Sequence, residues 1–315
     1  EAEGCQNDVS AFDSDIMRRP PMNAEVLSVH QSDIALQYSR MFSIVKSELS
    51  GEAAFSIAPD RAACAECVKE VFDPENRRYH YAFNSCIHCG PRYSISAGEP
   101  FDRTTTAMKH FRMCSICARE YSDISGRRFH SQTNSCKECG PQIWIVDKKG
   151  KLVDDQDPLK KTLSLLKSGH IVAIKGLGGF HLAVDAQAES AVRLLRKRKQ
   201  RPAKPFALMS AALEDVYRYA HVEQDEQAAL VSPLAPIVLL SKRTNGIIAD
   251  SVAPAVRTFG VMLAYTPLHH LLLRDNFAAL VVTSGNISSE PVICTNKDAL
   301  EYLSGTADYF VLHNR

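Results

Sequence analysis

Between residues 158 and 168 the apolar positions Leu159, Leu163, Leu165 and Leu166 recur at helical spacing, and Gly169 supplies the stop. Residues 170–174 follow as a continuous apolar block, the pattern of a buried strand, and lead into a glycine-rich loop at 175–179. The same reading places helices at 188–197, 213–219, 225–230, 268–273 and 298–303. It places strands at 206–209, 237–240, 279–283 and 309–312. Thr266 followed by Pro267 fits the N-cap and first-turn pair of the helix at 268–273. Helices and apolar strands intermix without strict alternation, which predicts an α/β domain on a mixed, twisted sheet.

Upstream the pattern is thinner. Residues 1–32 begin acidic, then carry Arg18-Arg19-Pro20-Pro21 and a short apolar stretch through Val29, too little for a domain. Residues 33–56 read as a polar connector running into a strand candidate at 53–57. Residues 57–147 offer only short helices, at 67–72 and 117–121, and a strand-like alternation at 142–146 before the turn Lys148-Lys149-Gly150.

What organises that poorly patterned stretch is a repeat. Cys64, Cys67, Cys86 and Cys89 return fifty residues later as Cys114, Cys117, Cys136 and Cys139. Asp73, Arg77, Arg78, His80, Asn84, Ser85, Gly90 and Pro91 return at the same offset as Asp123, Arg127, Arg128, His130, Asn134, Ser135, Gly140 and Pro141. One supersecondary unit is used twice. Two residues between paired cysteines let a tight turn aim both sulfurs at one ion, so the eight cysteines read as two tetrahedral, closed, structural Zn²⁺ sites. Disulfides or an iron–sulfur cluster are the alternatives on the same ligands. Whether each ion is held within one repeat or by knuckles exchanged between repeats stays open at this level. Glycines at 90 and 140 are expected to let each turn curl and aim N–H groups at the thiolates. The pairs Arg77–Arg78 and Arg127–Arg128, with Arg92, are expected to offset the net −2 charge of four thiolates on Zn²⁺. His80 and His130 read as packing residues or as supports of the ligating cysteines rather than as ligands, since both sites are already full.

Composition changes the picture little. Hydrophobic residues make up 45% and charged residues 23% of 315, with a net charge of +1, so no global field recruits nucleic acid or an anionic membrane. There is no long apolar run and no signal-peptide pattern, which makes the cytoplasm the expected compartment. Cys5 and Cys294 stand alone and suggest no disulfide framework.

Three stretches of the α/β region suit phosphate, though taken alone the first reads equally as a tight turn and the second as a solvated helix end or a nucleic-acid patch. Lys175 opens a glycine-rich loop with exposed amides. The run from Arg196 to Lys204 carries Lys199, Arg201 and Lys204, with Pro202 and Pro205 fixing its later part against a strand. Thr283-Ser284-Gly285-Asn286 ends a strand, where ligands of open sheets bind. His269-His270 reads as packing or substrate-channel residues rather than a metal pair, because adjacent helical residues face different ways. Cys294 has no base beside it in sequence.

Together, Lys199 and Arg201 followed by Lys204-Pro205, with Ser284 and Asn286 at a later strand end, resemble the nucleotide site of the YrdC family. That domain after two four-cysteine units resembles the HypF family of hydrogenase-maturation carbamoyltransferases. The phrases at 57–60, 84–91, 127–130, 175–179, 201–205, 265–270 and 283–286 all fit it. The resemblance implies a multi-domain α+β chain: the tail of an acylphosphatase-like domain at 1–32, a connector at 33–56, the tandem zinc module at 57–147, and a C-terminally incomplete YrdC-like domain at 155–315. It implies that carbamate, released from carbamoyl phosphate, is joined to AMP from ATP with Mg²⁺ assisting. The carbamoyl group then passes to the C-terminal cysteine of a HypE-like partner. Lys199 and Arg201 would be catalytic, and Lys175, Lys204, Ser284 and Asn286 would help bind the phosphates. The start at Glu1 without methionine and the stop at Arg315 suggest a piece of a longer protein, so carbamoyl-adenylate formation at most is expected of this chain. The competing readings are a threonylcarbamoyl-adenylate synthase for tRNA modification and a non-enzymatic zinc module that binds nucleic acid.

Overall fold

A computed structural model describes residues 2–20, 26, 28–38, 57–153, 156–244, 246–287 and 289–315. The strand candidate at 53–57, except Ile57, which is in no strand, and most of the connector lie outside the described residues. The chain divides into Glu1–Ala54 and Phe55–Arg315. The first unit contains a helix that the apolar pattern did not predict, α1 (Gln6–Arg18), which has no buried residue.

The second unit begins with the two four-cysteine repeats. Each has one short helix after its first knuckle, α2 (Ala65–Phe72) and α3 (Ser115–Ser122), matching the helix candidates there. The remaining elements follow as β1 (Ile143–Asp147), α4 (Pro158–Lys167), β2 (Val172–Lys175), β3 (Phe180–Asp185), α5 (Glu189–Arg198), β4 (Ala207–Ser210), α6 (Leu213–Val216), α7 (Gln224–Leu230), β5 (Val238–Ser241), β6 (Thr258–Leu263), α8 (Pro267–Leu273), β7 (Leu280–Ser284), α9 (Asn296–Tyr302) and β8 (Tyr309–His313). The Thr266 side chain caps α8 by accepting from the His269 N–H, as its sequence suggests. Two strands escaped the apolar pattern, β3 and β6.

All eight strands form one mixed sheet in the order β1-β8-β2-β3-β7-β4-β6-β5. β2 with β8 and β4 with β6 are parallel; the other neighbours are antiparallel. β1, which directly follows the second repeat, is a full member of the sheet, pairing with β8 from Ile143↔His313 to Asp147↔Tyr309. Central strands are covered on both faces, so their side chains sort into two cores. One holds Phe180, Leu182, Leu195, Leu208 and Phe310. The other holds Val172, Ile174, Leu268 and Leu272, and it also takes in Val71, Tyr81, Ala82 and Phe83 from the first repeat. The four-cysteine module and the sheet are therefore one packed body, with α2 seated on α8. No helix among the described residues is long and apolar enough to cross a membrane.

Candidate functional site

Each set of four cysteines gathers within its own repeat, with all sulfurs of a set within 4.8 Å of one another. Sulfur pairs stand 3.8 Å apart for Cys64–Cys86 and Cys86–Cys89, 3.9 Å for Cys114–Cys136, 3.8 Å for Cys136–Cys139 and 3.6 Å for Cys117–Cys139. Four sulfurs each about 2.3 Å from one Zn²⁺ stand about 3.8 Å apart along tetrahedral edges, so the clusters suit two zinc ions. They do not suit disulfides, whose sulfurs approach to about 2.05 Å. Backbone amides of Cys67 and His88 point at the sulfurs of Cys64 and Cys86, and those of Glu138 and Cys139 at Cys136.

The glycines do something other than expected. The Gly90 N–H bonds Arg61 O at 3.0 Å and the Gly140 N–H bonds Cys136 O at 2.8 Å, so neither faces a thiolate. Gly90 is required by its φ of +90°. Gly140 is required because a Cβ would run into the Tyr81 hydroxyl and lie 2.6 Å from Ser135 Cβ.

Charge compensation crosses between repeats. Arg77 of the first repeat donates to Cys117, Cys114 and Cys136 of the second, at 3.3, 3.4 and 3.1 Å. Arg127 of the second donates to Cys67 and Cys64 of the first, at 3.5 and 3.8 Å. The neighbouring arginines grip carboxylates in the same crossed sense, Arg78 on Glu120 at 2.6 Å and Arg128 on Glu70 at 2.5 Å. Burial pushes the Glu120 carboxyl up, but the hydrogen bond and charge of Arg78 pull it down to about 2. Arg92, by contrast, spends its donors on the carbonyls of Gly90 and Ile87. Glu70 and Glu120 went unread in the sequence, although they too are fifty residues apart. His80 and His130 pack on aromatic neighbours, Tyr79 at 3.9 Å and Tyr121 at 4.7 Å, outside both clusters.

The second site lies along one end of the sheet. β2 ends there at Lys175, β3 begins at Phe180, β7 ends at Ser284, and β4 begins just after the 201–205 loop. Lys199, at the C-terminus of α5, donates to Ser284 O at 2.7 Å and to Asn286 O and Oδ1 at 3.3 and 3.0 Å. The Ser284 hydroxyl donates to Asn286 Oδ1 at 2.8 Å. Arg201 reaches Thr283 Oγ1 at 3.4 Å and lies over the Phe206 ring, 5.1 Å from its centre. Lys175 is two strands away along the same edge, bonded to Asn296 Oδ1 at 2.8 Å. Lys204 is exposed and contributes its carbonyl, which accepts from Arg196 and Arg201.

The run 196–204, which a bland reading would solvate, has divided labour. Arg196 is buried and pins the loop through the carbonyls of Arg201, Lys204 and Val252, while Arg198 pairs with Asp308 at 2.7 Å. Among the described residues Lys175, Lys199 and Arg201 form no ion pair with a carboxylate. Burial, then the charge of Arg201, pushes the Lys199 ammonium down to about 8, and burial pushes Lys175 down. Three partly desolvated cations along one sheet edge, none with a carboxylate partner among the described residues, give that edge the chemistry to receive an anion.

A cavity of about 420 Å³ opens beside it, lined by Asp60, Arg61, Ser94, Gly178, His181 and Tyr265. His181 is the register partner of Ser284, and its Nε2 is 3.2 Å from the Tyr265 hydroxyl. A larger cavity of about 680 Å³ at the other end of the sheet mixes Glu214, Asp215, Arg218 and Arg274 and has no such bias of charge. His269 is buried against Tyr265, 4.4 Å between ring centres, and Cys294 is exposed.

The HypF finger model matches residues 63–96 and 113–146, and the Sua5/YciO/YrdC model, described as telomere recombination, matches residues 164–315. Carbamoyltransferase HypF of Synechocystis is 48% identical over 297 residues, 94% of this chain and 38% of that protein. The chain belongs to the HypF family. A HypF carbamoyltransferase of Rhodobacter capsulatus is also 48% identical, over 87% of this chain and 36% of its own. A crystal structure of full-length HypF in the phosphate- and nucleotide-bound form matches with a TM-score of 0.93 at 42% identity, over 99% of this chain and 41% of that one. HypF of T. kodakarensis matches with a TM-score of 0.88. This chain thus spans about two fifths of the length of its HypF relatives. It carries the HypF finger units followed by a YrdC-like domain with a mixed eight-stranded sheet.

Proposed function

We propose that this chain is the carbamate-activating segment of a HypF-type carbamoyltransferase. The observation that carries it is the trio Lys175, Lys199 and Arg201, hydrogen-bonded but without a carboxylate partner among the described residues, beside Ser284 and Asn286 at the sheet edge. The similarity to HypF proteins, one of them described as nucleotide- and phosphate-bound, supports ATP as the anion held there. In this reading residues 1–32 are the tail of an acylphosphatase-like domain, 57–147 the zinc module and 155–315 the YrdC-like domain.

The reaction is attack of a carbamate oxygen on the α-phosphorus of ATP. A new P–O bond forms, the bond from the α-phosphorus to the α,β-bridging oxygen breaks, and pyrophosphate leaves with that oxygen, giving carbamoyl-adenylate. Two anions must be held in line while negative charge grows on the phosphoryl oxygens. Lys199 and Arg201 are fixed for this role, one by the carbonyls of Ser284 and Asn286, the other by Phe206 and the loop that Arg196 pins. Ser284 and Asn286 orient the phosphate chain through hydroxyl and amide, Lys175 meets its far end, and exposed Lys204 guides the approach. Mg²⁺ bound with ATP would neutralise the leaving pyrophosphate. In the longer protein the carbamate comes from carbamoyl phosphate, and the carbamoyl group is handed to the terminal cysteine of a HypE-like partner in the cytoplasm.

The test is ATP binding and pyrophosphate release, with carbamate supplied from bicarbonate and ammonia, in Arg201→Ala and Asn286→Ala proteins. Both should lose at least about tenfold in turnover, the cost of one fixed charge-assisted contact. Unchanged affinity and turnover in both would sink the assignment, and a higher rate with threonine plus bicarbonate would move it to threonylcarbamoyl-adenylate synthesis.

A further inference from the structure

We propose that the two four-cysteine sites bind zinc as a coupled pair, each ion raising the affinity of the other site through the crossed arginines. The basis is reciprocal geometry. Arg77 sits in the first repeat yet directs three N–H···S contacts at the second cluster, while Arg127 sits in the second repeat and directs two at the first. The arginines beside them are anchored the same way. Arg78, only 2% exposed, bonds Glu120 on α3, the helix that supplies Cys117, and also Asn134 Oδ1 and Ser135 O next to Cys136. Arg128 bonds Glu70 on α2, the helix that supplies Cys67, and Asn84 Oδ1 beside Cys86. Asn84 and Asn134 close each frame by donating to the carbonyls of Cys67 and Cys117 in their own repeats.

Every arginine of a pair therefore reads whether the other repeat is assembled. Four thiolates on one Zn²⁺ leave two negative charges, and that anion is what Arg77 and Arg127 face. Without the metal the knuckles have nothing holding four sulfurs together, the anion is lost, and the half-buried Arg77 and Arg127 lose their N–H···S contacts and keep only Glu120 and Glu70 as partners. Filling one site thus fixes the arginine-bearing turn of the other repeat, which lies between that repeat's own two cysteine pairs. The linkage is positive and, for binding, equal in both directions.

Native mass spectrometry of the 315-residue chain during stepwise zinc titration reads this directly. Coupling of about tenfold, ordinary for linked sites, holds the singly loaded species to about a quarter of molecules at half loading, against about half for independent sites. Arg77→Lys and Arg127→Lys keep the charge but lose the fork, and each should raise the singly loaded fraction toward the independent value. In a Cys64→Ser, Cys67→Ser protein, competition with a chromogenic chelator should show zinc at the second site held about tenfold more weakly. A singly loaded fraction at the independent value in the unaltered chain would overturn the proposal, as would undiminished affinity of the second site after loss of the first.

Discussion

Two ion pairs of nearly equal length give a sharp test of how this molecule spends charge. Arg78 meets Glu120 at 2.6 Å with its side chain 2% exposed, while Arg193 meets Glu189 at 2.5 Å with its side chain 73% exposed. Arg78→Met keeps the volume and removes the guanidinium. It strands the Glu120 carboxylate and takes donors from Ser135 O and Asn134 Oδ1. Breaking a buried pair costs about 3–5 kcal/mol. Glu120 keeps 27% exposure and a second cation, Arg77 at 3.4 Å, so the low end, about 3 kcal/mol, applies. At roughly 2–4 °C per kcal/mol for a body of this size, the zinc-loaded protein should melt about 6–12 °C lower. Arg193→Met removes an exposed pair between residues one helical turn apart, worth about 0.3–0.5 kcal/mol, and should shift melting by less than about 2 °C. Scanning calorimetry at saturating zinc separates the two. If both variants melted within 2 °C of each other, the argument from burial would be refuted.

Two more outcomes follow from the same reasoning. Lys199 ionises near 8 in the free protein, and its charged form is the one that holds phosphate. As pH rises through 8 the ammonium is lost and ATP affinity falls, so at pH 8.5 binding should take up a proton, read by titration calorimetry in buffers of different ionisation enthalpy; uptake that persists in Lys199→Met would assign the proton elsewhere. Removing zinc should lower the melting of the sheet itself by more than about 5 °C, because Val71, Tyr81 and Phe83 share its core; a sheet transition unmoved by chelation would show that the shared packing contributes little.

The sequence made local features plain and left relations between distant residues hidden. Cysteine spacing, the Thr266-Pro267 cap and most apolar blocks are short-range signals, and the structure carries them within a few residues. β3 and β6 were missed for a physical reason. Phe180–Asp185 is largely buried on both faces and so lacks alternation, while Thr258–Leu263 is interrupted by Gly260, whose Cβ would sit 3.1 Å from Ile237, and by the apolar run Val261-Met262-Leu263. α1 was missed because it buries nothing that could leave an apolar stripe. In the nucleotide region Lys199, Arg201, Ser284 and Asn286 come together as their motif suggests, whereas Arg196, the residue that fixes the loop, was submerged in a charge run. The crossed arginines were beyond reach, since spacing shows that Arg77 and Arg127 are equivalent but not that each serves the other's cluster. Glu70 and Glu120 were within reach, by the same fifty-residue offset that exposed the cysteines.

The position of β8 governs the order in which the molecule can be built. Among the described residues it is the last strand in sequence, yet it lies between β1 and β2 and pairs with both. During synthesis the cysteine repeats emerge early and use contacts close in sequence, so they can close around metal while the ribosome is still translating the rest. β1 and β2 then wait with open hydrogen-bonding edges until the residues between them and Tyr309, about 160 after β1 and about 130 after β2, have appeared. Insertion of β8 is consequently the slow, non-local step. A nascent chain halted before Tyr309 should bind zinc and still be digested by protease throughout the sheet.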